Sequence, residues 1–76
     1  MKEILETIIN TLVSNKEAVS INQIDGEQSI IFEVKVAEED MGKIIGRQGS
    51  IAKSIRTIIK AVASKENKRV SIEFLD

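Results

Sequence analysis

The chain has 76 residues, with 11 Lys and Arg against 12 Asp and Glu, a formal net charge of −1, and no His, Cys, Pro, Trp or Tyr. Without His and Cys there are no imidazole or thiolate metal ligands, no disulfides and no histidine base, so zinc hydrolysis, serine triads and redox chemistry are excluded. A single domain of this size buries only about 60% of its unfolded surface and rarely encloses a substrate pocket, so residues 1–76 read as one domain that binds rather than catalyses, with no cofactor.

From Ile4 to Val13 the apolar residues Ile4, Leu5, Ile8, Ile9, Leu12 and Val13 recur with the rhythm of an amphipathic helix. Glu3 and Glu6 interrupt what would be the apolar core of a secretion signal, and no apolar run approaches the roughly 20 residues of a membrane span. A soluble, cytoplasmic protein without a membrane partner is expected. Beyond Ser14 the period changes to two: Val19 and Ile21 precede the turn signal Asp25-Gly26, and Ile30, Phe32, Val34 and Val36 alternate with Ile31, Glu33 and Lys35. That pattern predicts an antiparallel hairpin with one buried face.

Glu38, Glu39 and Asp40 then suit the start of a short helix of one or two turns, and Gly46 suits its end. A further helix is predicted from Ser50 to about Ser64, with Ile51, Ile55, Ile58, Ile59 and Val62 on one side and Lys53, Arg56 and Lys60 on the other. The polar break Lys65-Glu66-Asn67-Lys68 precedes a last strand through Val70, Ile72 and Phe74. The order is α-β-β-α-α-β. The strands flanking the helix pair require a crossover and should lie parallel, while the first hairpin adds an antiparallel strand. The expected fold is α+β, a three-stranded mixed sheet with three helices packed on one face.

A Gly-x-x-Gly such as Gly46-Arg47-Gln48-Gly49 arises by chance in about one chain in three of this length, so its context has to carry the argument. Here it joins two predicted helices. Two missing Cβ atoms let a phosphate backbone approach the main chain, and the helix that follows points its amides at it. The alternative is a tight helix-helix turn. Charge separates the two: residues 42–69 hold eight basic residues and one acid, net +7, and the remainder holds three basic and eleven acidic, net −8. A nearly single-signed surface beside a glycine loop is what an anion-binding site requires. Arg47 stands where a Walker loop would need a second glycine five places after Gly42, so a nucleotide-phosphate loop is disfavoured.

The stretch from Gly42 to Arg56, with Ile44-Ile45-Gly46-Arg47-Gln48-Gly49 between two helices of an α-β-β-α-α-β chain, resembles a KH domain of the bacterial, type II arrangement and, more narrowly, the KhpA family of small bacterial RNA-binding proteins. It departs from many KH domains in having Ala52, with Ile51 one place earlier, where they carry an isoleucine three places after the second glycine. The resemblance implies binding of about four nucleotides of single-stranded RNA. By position it implies that Gly46, Arg47, Gln48 and Gly49 grip the backbone, that Lys43 and Lys53 flank it with Arg56 on the same basic surface, and that Ile44, Ile45 and Ala52 offer bases an apolar floor. An RNA chaperone or post-transcriptional regulator is the corresponding function. It further implies self-association and a larger KH partner with a Jag region. Ser54, Thr57, Ala61 and Ser64 form a strip of small residues that suits a homodimer contact. The competing reading is a protein-interaction module that keeps a KH-like fold without binding RNA, which the overall acidity favours and the basic glycine loop opposes.

Overall fold

The computed structural model describes residues 1–75, the side chain of Arg47 excepted. Helix α1 spans Lys2–Leu12 and leads through a 3-10 turn at Lys16–Ala18 to strands β1 (Ser20–Asp25) and β2 (Ser29–Lys35). The helical segment α2 (Glu38–Lys65) then returns the chain to β3 (Arg69–Leu75). The strands form a three-stranded sheet in the order β1-β2-β3. β2 is antiparallel to β1, with Gln23 opposite Phe32, and parallel to β3, with Phe32 opposite Ile72. This is the mixed sheet that the crossover argument predicts.

The hairpin closes where Asp25-Gly26 signals a turn: the Gly26 amide donates to the Ser29 carbonyl at 2.8 Å. Strand alternation then sends Ile30, Phe32 and Val34 of β2 and Val70 and Ile72 of β3 to one face, where they pack with the helices in a single core. The opposite face carries the polar cross-strand row Asn22, Glu33 and Glu73. All three helical pieces, α1 and the two limbs of α2 described next, therefore lie on one side of the sheet.

Two departures from the sequence reading concern the helices. α1 buries Leu5 and Ile9, and Val13 just beyond its end is buried too, but Ile4 is 41% and Leu12 37% exposed. Two adjacent columns on a helix satisfy the same rhythm, and only one of them faces the sheet. In α2 the predicted loop is compressed. The helix does not end at Gly46, which has no left-handed backbone; the interruption falls on Gln48 (φ 64°) and Gly49 (φ 71°). Nothing in Gly46-Arg47 forbids helical geometry, so the first limb (38–47) outlasts the predicted one or two turns before the chain is redirected into the second limb (50–65). On the second limb Ile58 is 46% exposed, while Ala52 and Ala63 join Ile55 and Ile59 in the core.

The end of α2 is built by the polar break. Asn67 takes a left-handed φ of 57°. The Lys68 amide donates to the Ala63 carbonyl at 3.0 Å and the Asn67 amide to Ser64 at 3.1 Å, the paired bonds of a Schellman cap. Among the described residues no helix is long and apolar enough to cross a membrane.

Candidate nucleic-acid interface

Gly42 and Gly46 stand one turn apart on the same face of the first limb. A glycine in a helix interior costs about 1 kcal/mol relative to alanine. Neither position has a positive φ, and a Cβ built at either meets nothing within 4 Å. Backbone and packing thus give no internal reason for these two glycines. What their missing side chains provide is a low saddle in the helix surface, open to an approaching molecule.

A hollow lies on each side of the saddle. The smaller, about 260 Å³, is lined by Lys43, Ser50 and Ile51 together with Gly42 and Gly46. The larger, about 930 Å³, is an open groove lined by Lys35, Val36, Glu38, Met41 and Ile45 and by the same two glycines. The helical wheel explains the division: Lys43 projects to one side of the Gly42–Gly46 line, and Met41 and Ile45 to the other. One side presents the Lys43 ammonium and the Ser50 hydroxyl beside Ile51, the other an apolar wall of Val36, Met41 and Ile45 edged by Lys35 and Glu38. A strand with a charged backbone and flat apolar appendages fits such a ridge.

Beyond Gly46 the left-handed pair turns the chain. Gly49 adopts its φ without strain, whereas a left-handed Gln48 costs about 1 kcal/mol, a conformation that persists only where the surroundings hold it. The turn brings the N-terminal end of the second limb, the positive end of its dipole, to the saddle. The side chain of Arg47 lies outside the described residues.

Lys43 is held from below. Its Nζ donates to the Ser14 hydroxyl at 2.6 Å and pairs with Asp40 Oδ1 at 3.3 Å. The Asp40 side chain is buried, and its two oxygens accept the amides of Ser14 at 2.9 Å and Asn15 at 3.0 Å. These amides, assisted by Lys43, keep the carboxyl below its ordinary 3.8, so it is ionised throughout the neutral range.

Of the residues expected at the site, Lys43, Ile45 and Gly46 line the hollows at the saddle, with Ile45 45% exposed, while Gln48 and Gly49 form the left-handed turn that follows. Ile44 and Ala52 are 1% and 3% exposed; they support the groove from within the core and offer no surface to a base. Lys53 is exposed one turn into the second limb. Arg56 does not share the open face of Lys53 and Lys60. Its Nε donates to the Ile72 carbonyl on the free edge of β3 at 3.3 Å, and its guanidinium lies 5.4 Å from the centre of the Phe74 ring. A planar guanidinium can cap a strand edge and stack on a ring at once. The sequence reading missed Gly42, Met41, Lys35 and Glu38. Its available signal was the four-residue spacing of Gly42 and Gly46 on a predicted helix.

The family model described as "KhpA/KhpB, KH domain" matches residues 2–74. Proteins named "RNA-binding protein KhpA" are 60% identical in Clostridium acetobutylicum over 99% of this chain and 100% of theirs, and 57% identical in Caldanaerobacter subterraneus over the same shares. The protein of that name from Aquifex aeolicus is 41% identical over 100% of this chain and 96% of its own. No solved structure matches the chain significantly. Matching over nearly its whole length, with the glycine saddle and its flanking lysine on the surface, this chain belongs to the KhpA/KhpB family of KH-domain proteins.

Proposed function

We propose that the protein binds single-stranded RNA across the Gly42–Gly46 saddle, with phosphates on the Lys43 and Ser50 side and a base in the groove beside Ile45. The observation that carries this reading is the pair of helical glycines with open space where their Cβ atoms would stand, between a hollow that holds Lys43 and Ser50 and a groove that holds Met41 and Ile45. The names of the relatives support it. Phe32 is fully buried and Phe74 half-buried beneath Arg56, so stacking on aromatic rings contributes little. Affinity then comes from the backbone, over about four nucleotides, with weak sequence preference, as suits an RNA chaperone. The reading requires no catalysis, and the cytoplasm is where such RNA is met.

Alanine at Gly42 or Gly46 tests the saddle. Each substitution raises helix propensity without a clash, so the melting temperature rises, corresponding to about 0.5–1 kcal/mol. At the same time affinity for a short oligouridylate, read by fluorescence anisotropy, falls severalfold. A variant that is more stable and binds as tightly as the native chain overturns the crossing.

Self-association is the second part of the proposal. Ser54, Thr57, Ala61 and Ser64 are exposed on the second limb around Ile58, which is 46% exposed. The Ser54 hydroxyl donates to the Ser50 carbonyl at 3.0 Å and that of Thr57 to Lys53 at 3.0 Å, so the strip presents few unsatisfied polar groups. Two copies joined there carry two RNA sites, which raises apparent affinity through effective concentration. A larger KH protein with a Jag region is the alternative partner, and the family description, which joins KhpA and KhpB, is consistent with a second KH protein. Light scattering at micromolar concentration is expected to give a dimer that Ile58→Lys dissociates; a monomer in both cases removes the homodimer.

A further inference from the structure

The buried Asp40 lies next to the proposed RNA path without touching it, and it joins two parts of the chain that are 25 and 26 residues apart. Its oxygens hold the connection after α1 through the Ser14 and Asn15 amides, and they hold Lys43 on the first limb through the 3.3 Å pair. Ser14 closes the loop of contacts, because its hydroxyl accepts a second Lys43 proton at 2.6 Å. An ammonium has three donors. With two of them fixed, the third is left for an anion in the hollow that Lys43 shares with Gly42, Gly46 and Ser50.

A lysine side chain otherwise gives up close to 2 kcal/mol of rotamer freedom when it is fixed on a ligand. Here folding has already restricted it. We propose that Asp40 and Ser14 are positioning residues for RNA binding: they seat Lys43 so that its remaining proton faces the phosphate side of the saddle. The inference rests on the RNA-binding reading of that saddle.

Simple electrostatics and positioning predict opposite outcomes for Asp40→Asn. The substitution removes one negative charge beside a polyanion site, which on charge alone tightens binding. Positioning demands the reverse. With the oligouridylate probe, at temperatures where circular dichroism shows each variant folded, Asp40→Asn is expected to weaken binding about fivefold. The slope of log affinity against log salt becomes shallower by about 0.7, the equivalent of one phosphate contact. Lys43→Met gives the same change, and the double variant is no weaker than either single one, since both remove one function. Ser14→Ala leaves the carboxylate and its backbone bonds in place; it should cost about twofold in affinity with an unchanged slope and melting temperature.

Native-strength or tighter binding by Asp40→Asn and Ser14→Ala, with the native salt slope, overturns the positioning role while leaving the saddle intact. Absence of salt-dependent binding by the native chain overturns the saddle itself, and the positioning role with it.

Discussion

Replacing Gly49 with Asp is expected to weaken binding of a single-stranded oligoribonucleotide at least tenfold while the protein stays folded. Gly49 has a φ of 71°, and open space surrounds the point where a Cβ would stand. Asp tolerates left-handed backbone better than most residues, so the folding cost is about 1 kcal/mol and circular dichroism remains native-like. Under the proposed RNA path binding suffers more, because the new carboxylate would face a phosphate. Two like charges about 5 Å apart repel by about 1–3 kcal/mol at the effective dielectric of a protein surface. Gly49→Asn separates shape from charge: it should fold like the Asp variant and lose only a fraction of the affinity. For the native chain, log affinity should fall with log salt at a slope of about −1 to −3, the release expected from a few phosphates on a single strand. Gly49→Asp binding at native strength, or a native slope near zero, shows that the loop does not meet the RNA.

How far such a site can be read from sequence depends on whether its signal is local. The inward residues of β2, Ile30, Phe32 and Val34, follow from alternation alone, and all three are buried. The Asp25-Gly26 turn likewise follows from adjacent residues, and it leads directly into the Ser29 bond. Helical faces are less determinate. Ile4 and Ile58 fit the apolar rhythm of their helices but are exposed, because period fixes a face only to within one column.

Other features arise from contacts that no local pattern carries. Glu38, Glu39 and Asp40 give identical signals for a helix start, yet only Asp40 is buried, because the amides of Ser14 and Asn15 converge on it. Arg56 belongs by spacing to a basic face, but the unpaired edge of β3 offers it the Ile72 carbonyl. The break in α2 at Gln48 is of the same kind. Gln is a poor left-handed residue, so its φ of 64° is not foreseeable from its type. The saddle stands between these cases: both its glycines are plain in the sequence, but the open surface they make together appears only when the surrounding space is seen to be empty.

Phe32→Ala is expected to unfold the protein or bring it close to unfolding at physiological temperature. Phe32 is fully buried on the central strand, between Gln23 of β1 and Ile72 of β3 in register. Truncating a buried Phe costs about 3–5 kcal/mol through lost transfer energy and the cavity left behind. A domain of this length has a total stability of about 4–11 kcal/mol. There is no Cys for a disulfide to compensate. The loss therefore runs from about a quarter to all of what holds the fold, and the midpoint of thermal melting should drop by at least about 12 °C. Phe74→Ala provides the contrast, since Phe74 is only half-buried at the sheet edge, and its truncation should lower the midpoint far less. Both limbs of α2 rest on the core that Phe32 fills, so RNA binding disappears with the fold in Phe32→Ala, whereas Gly49→Asp loses binding with the fold retained. If Phe32→Ala melts within a few degrees of the native chain, Phe32 is not at the centre of the core, and the support beneath the saddle has to be sought elsewhere in the sheet.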